Sequence, residues 1–190
     1  MKHYDVIIIG GGLGGLSCGV MLSKEGLNVC VLEQHHTIGG CLQSFKRDGY
    51  TLDTGMHYVG SLSEGQIMHQ YFKYFDIIDK LNLRKLDEAG FDHFHFSDGS
   101  SYCHAMGYER FIDTLSKDFP EERNNIKALC NDIKSIGNLV SPEILREGRI
   151  SNGGFEFMSM SAYEEINKHI KDEKLRRVFA GNSGLFAGDR

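Results

Sequence analysis

The stretch "DVIIIGGGLGGLS" runs an apolar segment straight into five glycines within six residues, and no other part of the chain restricts its fold so tightly. "YDVIII" is a β-branched run of the kind that forms a strand buried on both faces, and Gly10 ends it. Leu13, Leu16 and Val20 then recur at helical spacing, with Gly26 where a helix would stop. "LNVCVLE" is a second strand-like run that finishes on Glu33. Strand, glycine turn, helix and strand together make a βαβ unit, so the class is α/β.

Gly10, Gly12 and Gly15 satisfy G-x-G-x-x-G, and each position has a steric reason. Gly10 permits the tight turn, Gly12 lets the backbone approach a pyrophosphate, and Gly15 lets the helix pack close to the strand. Leu13 and Gly14 fall in the first helical turn, whose unpaired N–H groups and partial positive charge favour phosphate. No Lys-Ser/Thr pair follows, which excludes a Walker loop. Glu33 lies eighteen residues beyond Gly15, close to the distance at which an acidic side chain at the end of the second strand reaches a ribose. Its carboxylate accepts from ribose hydroxyls and would repel a 2′-phosphate. The expected ligand is a dinucleotide with an unphosphorylated adenosine ribose, FAD or NAD.

A chain of 190 residues can bury roughly two thirds to three quarters of its unfolded surface, enough for a substantial core. A net charge of −5 gives no electrostatic reason to expect nucleic acid. Five cysteines, Cys18, Cys30, Cys41, Cys103 and Cys130, are scattered without a CxxC pair, which fits a reducing, cytoplasmic setting. Met1 stands too close to the first strand for a signal peptide, and no apolar run reaches the roughly 20 residues of a membrane span.

Further along, "LSEGQI" reads as a helix start with Ser63 as N-cap, Gln66 at N3 and Leu62 and Ile67 as a hydrophobic staple. Ile67, Met68, Tyr71, Phe72 and Phe75 follow as one apolar face, more simply core than the wall of a substrate tunnel. "FDHFHFSDGSSYCH" alternates about Asp98-Gly99 and reads as a hairpin with a two-residue turn. That register puts Phe94, Phe96, Ser101 and Cys103 on one face and His93, His95, Tyr102 and His104 on the other. Three histidines on a face suit a transition metal, but no carboxylate completes a set, so the face reads as solvated or core histidines and no metal site is assigned. Two helices broken near Pro120 and two more within "SAYEEINKHIKDEKLRRVFAG" complete the reading, with the charged run of the last pair taken as a solvated face.

The run "LEQHHTIGGCLQSFKRDGYTLDTGMHYVG", with its second glycine pair Gly39-Gly40, resembles the FAD-binding front end of the polyene oxidoreductases: phytoene desaturases, carotenoid isomerases and, closest, all-trans-retinol 13,14-reductases (retinol saturases). The likeness continues more loosely through "FSDGSSY" and "FPEE". It implies a Rossmann-like FAD-binding domain, here its N-terminal part over residues 1–62, followed by part of an α+β substrate domain over 63–190. By position, Glu33 would hold the adenosine ribose, and Gly39, Gly40 and the Cys41 backbone would approach the diphosphate. The segment from Asp53 through Gly55 to His57 would lie toward the flavin ring. Amine-oxidase-like relatives often carry Arg after the glycine pair where this chain has Cys41, so only backbone contacts carry over there. His57 is the one candidate for a part in the chemistry, with a structural role as its simpler reading.

The resemblance further implies an FAD enzyme acting on a small apolar polyene by hydride exchange at a conjugated C=C bond, in the direction of saturation, with NAD(P)H a candidate electron donor. The chain is expected to be the N-terminal portion of a longer enzyme and inactive alone, any peripheral membrane contact lying in other parts. A flavin amine oxidase and a non-catalytic nucleotide-binding module are the two rival readings.

Overall fold

A computed structural model describes residues 3–56, 58–139 and 160–183. It divides into two compact units, Met1–Asn82 and Leu83–Arg190.

The first unit opens with β1 (Val6–Ile9), α1 (Leu13–Lys24) and β2 (Val29–Leu32), with the two strands parallel and Val6 opposite Val29. Helix α1 lies close against them because its inward line is small: a Cβ on Gly19 would meet Val31 Cγ2 at 3.3 Å and Ile8 Cδ1 at 3.6 Å. Gly26 (φ +86°) ends the helix, its N–H donating to Ser23 O while Leu27 N–H reaches Leu22 O. These are the two bonds of a Schellman cap, which needs a left-handed residue at this point. The expectation that β1 is buried on both faces does not hold. Val6 and Ile8 are half-buried, but Ile7 and Ile9 are 60 % and 88 % exposed, because α1 covers one face of the strand pair and no described element of the unit covers the other.

β3 (Ser44–Arg47) and β4 (Tyr50–Asp53) form an antiparallel hairpin around Asp48-Gly49, both at positive φ, a two-residue turn of type I′ character. α2 (Ile67–Tyr74) begins three residues later than the Ser63 reading places it. The Gln66 side chain does reach back to Ser63 N–H at 2.9 Å, but Gly65 (φ +80°) turns the chain between them, so Gln66 itself precedes the first helical residue.

The second unit holds the hydrophobic core. β5 (Asp92–His95) and β6 (Ser101–His104) are antiparallel, followed by α3 (Tyr108–Asp118), a short 3-10 turn opened by Pro120, and α4 (Arg123–Leu139). α5 (Ala162–His169) and α6 (Glu173–Ala180) are the last pair, capped by Ser161 and Asp172. Ile112, Leu115, Phe119, Ile126, Leu129, Ile170, Leu175 and Val178 form the buried cluster, with Phe94, Phe96 and Tyr102 of the hairpin packed on it.

The hairpin corrects the face assignment. Gly99 N–H donates to Phe96 O and Phe96 N–H to Ser100 O, so the loop has three residues, Ser97-Asp98-Gly99, with Gly99 at φ +86°. Phe94 therefore opposes Tyr102 and Asp92 opposes His104, which places His104 on the core face with the aromatics. His93 and His95 sit opposite Cys103 and Ser101 on the outer face. One extra loop residue shifts the register by one and exchanges the faces of the whole return strand.

The buried carboxylate of Glu122 joins the two helical pairs. It accepts the backbone N–H groups of Lys171 at 2.8 Å and Asp172 at 2.6 Å, and the Asn125 side chain at 2.7 Å. The turn between α5 and α6 is thereby pinned to the start of α4.

Candidate dinucleotide-binding site

The glycine loop is built as its steric logic requires. Gly10 leaves β1 at φ +104° with its N–H on Leu32 O at 2.7 Å. A Cβ on Gly15 would stand 1.9 Å from Gly10 O, so only glycine lets α1 start where it does. Gly12 is the N-cap, in extended backbone that any residue adopts, and a Cβ there would meet nothing nearer than 3.9 Å; at Gly14 it would meet nothing within 4 Å. Space is thus open beside the first turn of α1, and no side chain caps it. A diphosphate fits such a cradle: the positive end of the helix dipole, no competing side-chain cap and room for close approach.

Glu33 stands beside it. Its Oε2 accepts Gly11 N–H at 2.6 Å and its Oε1 accepts His35 N–H at 2.8 Å. Those two bonds, His35 first, hold the carboxyl below the ordinary value of 4.5, so it is an anion at neutral pH. A carboxylate offers about four acceptor sites, so one held by these backbone N–H groups keeps capacity for a ribose hydroxyl. The second glycine pair reaches the same place: Gly39 N–H donates to Gly11 O at 2.7 Å, and a Cβ on Gly40 would stand 3.1 Å from Gly12 Cα. Gly39 (φ +120°) and Gly40 (φ +58°) lead into a short 3-10 turn through Cys41, whose thiol side is exposed. Cys41 O packs on Gly55, where a Cβ would come within 2.8 Å.

The structure therefore brings Gly10, Gly12, Leu13, Gly14, Gly15, Glu33, Gly39, Gly40, Cys41 and Gly55 into one neighbourhood, through the β1–α1 loop, the end of β2 and the segments flanking the β3–β4 hairpin. His57 lies outside the described residues. Sequence reading missed the β3–β4 hairpin, which ends two residues before Gly55, although Asp48-Gly49 between "SFKR" and "YTLD" is a hairpin signal.

The histidines of the second unit do not form a site together. His93 and His95 are exposed, with rings stacked 6.3 Å apart, and His104 is buried among Phe94, Phe111 and Phe179 with no hydrogen-bond partner for its Nε2. Burial lowers the His104 pKa below the ordinary 6.5.

Known proteins resemble this chain in sequence and in fold. A family model of NAD(P)-binding Rossmann-like domains matches residues 8–75. All-trans-retinol 13,14-reductase of Danio rerio is 35% identical over 143 residues, covering 72% of this chain and 23% of that protein. Prolycopene isomerase 2, chloroplastic, of an Oncidium hybrid cultivar is 32% identical over 188 residues, covering 92% of this chain and 32% of its own length. The chain spans about a quarter to a third of the length of these curated relatives. Among solved structures, a putrescine oxidase mutant from a redesign of its cofactor binding superposes with a TM-score of 0.55 at 18% identity, over 93% of this chain and 36% of that one, which establishes a shared fold.

Proposed function

Because the chain belongs to the FAD-dependent polyene oxidoreductase family, we propose that it forms the adenosine-diphosphate end of an FAD site in an enzyme that saturates a conjugated C=C bond of a small apolar polyene. The observation that carries the cofactor reading is the Glu33 carboxylate, tied to Gly11 N–H and placed beside an open helix N-terminus. FAD, when bound, supplies hydride exchange with a carbon of the polyene. The chain's own part is binding and orientation: Glu33 accepts from the adenosine ribose, the first turn of α1 receives the diphosphate, and Gly39-Gly40 closes over it.

Saturation is chosen over isomerisation on the 35% identity to a retinol 13,14-reductase, against 32% to a prolycopene isomerase. Reduction of the C=C bond consumes one hydride and one proton, and NAD(P)H is the proposed electron donor. The other proposed properties are a retinoid- or carotenoid-like substrate, no nucleic-acid partner, and a cytoplasmic setting with any membrane contact through other parts of the protein. No helix among the described residues is long and apolar enough to cross a membrane.

The test is an anaerobic half-reaction. The complete FAD-loaded enzyme, reduced and mixed with a retinoid or a short carotenoid, should reoxidise and release a product two hydrogen atoms heavier. A product of unchanged mass would replace saturation by isomerisation. Inert reduced enzyme, together with rapid reduction of the oxidised form by putrescine or another amine, would replace the polyene reading altogether.

A further inference from the structure

We propose that Asp132, Glu165 and His169 form a binding site for one divalent transition-metal ion of the Zn²⁺ type, clamping α4 to α5. His169 Nε2 lies 2.8 Å from Asp132 Oδ2 and 3.0 Å from Glu165 Oε1, and among the described residues this is the group whose ligand atoms all fall within 4.8 Å of one another. Glu165 and His169 are one helical turn apart on α5, so both project from one face, and Asp132 completes the set from α4. The Glu165 and His169 side chains are only 14% and 16% exposed, while Asp132 is 43% exposed. The cluster is therefore walled on two sides and open on the third, which leaves a coordination position for water.

An imidazole nitrogen carries at most one proton, yet two anionic oxygens converge on the same Nε2. A cation at the centre of the three atoms would serve both carboxylates and the nitrogen lone pair together. The spacing is close to what such an ion requires: bonds of about 2.0–2.2 Å in tetrahedral geometry separate ligand atoms by about 3.4 Å. The two distances from His169 Nε2 would open by about 0.4–0.6 Å. Lys168 Nζ, 2.8 Å from Glu165 Oε1, offsets part of the negative charge and orients that carboxylate. One imidazole with two carboxylates and a solvent position suits Zn²⁺ and its close analogues, and suits Mg²⁺ or Ca²⁺ poorly.

Co²⁺ is the probe, since tetrahedral Co²⁺ absorbs in the visible and Zn²⁺ displaces it. The metal-free chain should take up one Co²⁺ with nitrogen–oxygen ligand-field bands and no thiolate charge-transfer band. Zn²⁺ should raise the thermal midpoint of the second unit. Outer-shell partners of metal sites are worth about 10–100-fold in affinity, so loss of a ligand in Asp132→Asn should weaken Co²⁺ binding by about 100-fold or more while the circular dichroism spectrum is unchanged. His169→Ala should abolish uptake. No uptake by the folded wild-type chain, equal uptake by wild type and Asp132→Asn, or a thiolate band reporting capture by cysteine would each overturn the site.

Discussion

Glu33 and Gly11, twenty-two residues apart, are joined by a 2.6 Å hydrogen bond from the Gly11 N–H to the Glu33 carboxylate. One acidic side chain thus fixes the glycine loop and lines the place where an adenosine ribose would sit. Glu33→Ala is expected to weaken FAD retention by roughly 10–100-fold, the range of one lost charge-assisted hydrogen bond. The readout is flavin absorbance of the complete enzyme after gel filtration. Because backbone N–H groups hold the Glu33 pKa down, retention should persist as the pH falls past 4.5 and fail only as it passes through the lowered folded value.

Gly12 and Gly15 should separate binding from folding. A Cβ at Gly15 would overlap Gly10 O, so Gly15→Ala displaces α1 and should destabilise the first unit by about 1–3 kcal/mol or more. A Cβ at Gly12 would meet nothing nearer than Gly40 Cα at 3.9 Å, an ordinary contact, so Gly12→Ala should leave stability within about 1 kcal/mol while blocking the diphosphate. Hydrogen exchange of the β1 and β2 amides reports the first effect and flavin content the second. Equal loss of stability in both variants would contradict the cradle.

Much of the first unit was legible because its signals are local. The glycine spacing, the Gly26 stop and the distance from Gly15 to Glu33 all lie within one βαβ unit. The errors came where one residue or one distant partner decides. A third loop residue at Ser97 moved His104 from the face of His93 and His95 to that of Phe94 and Phe96. Gly65 delayed the start of α2 despite the Gln66–Ser63 bond. Glu122 with the 171–172 turn, and Asp132 with Glu165 and His169, pair residues more than thirty positions apart, and no spacing rule joins them.

Glu122 should prove the most sensitive polar residue of the second unit. Glu122→Ala strands the N–H groups of Lys171 and Asp172 near a buried site, each costing about 1–3 kcal/mol, so a loss of about 2 kcal/mol or more is expected in urea unfolding. Glu122→Gln keeps an acceptor oxygen and should recover a good part of it. A loss below about 0.5 kcal/mol for the alanine variant would show that water replaces the carboxylate.

His104 makes the second unit sensitive to acid. Burial disfavours its charged form, with Asp92 opposing more weakly, so the unfolded chain takes up a proton near pH 6.5 that the folded unit refuses. Its contribution to stability is fully present above that pH and is lost as the pH falls toward the lowered folded value. Near-UV circular dichroism during urea unfolding at several pH values should show this slope in the wild type, and His104→Phe, which also removes the unpartnered Nε2, should flatten it.

The central expectation is that the adenosine end of FAD enters the cradle of Gly10–Gly15, Glu33 and Gly39-Gly40. Titrating the isotope-labelled chain with FAD and, in parallel, with NADP⁺, while following backbone amide shifts, tests this directly, even where affinity is low. The predicted result is that the amides of Gly11, Gly12, Leu13, Gly14, Gly39 and Gly40 move with FAD, and that NADP⁺, with a phosphate where Glu33 expects a hydroxyl, binds at least about tenfold more weakly. Equal or tighter binding of NADP⁺, or FAD shifts confined to the second unit, would contradict it.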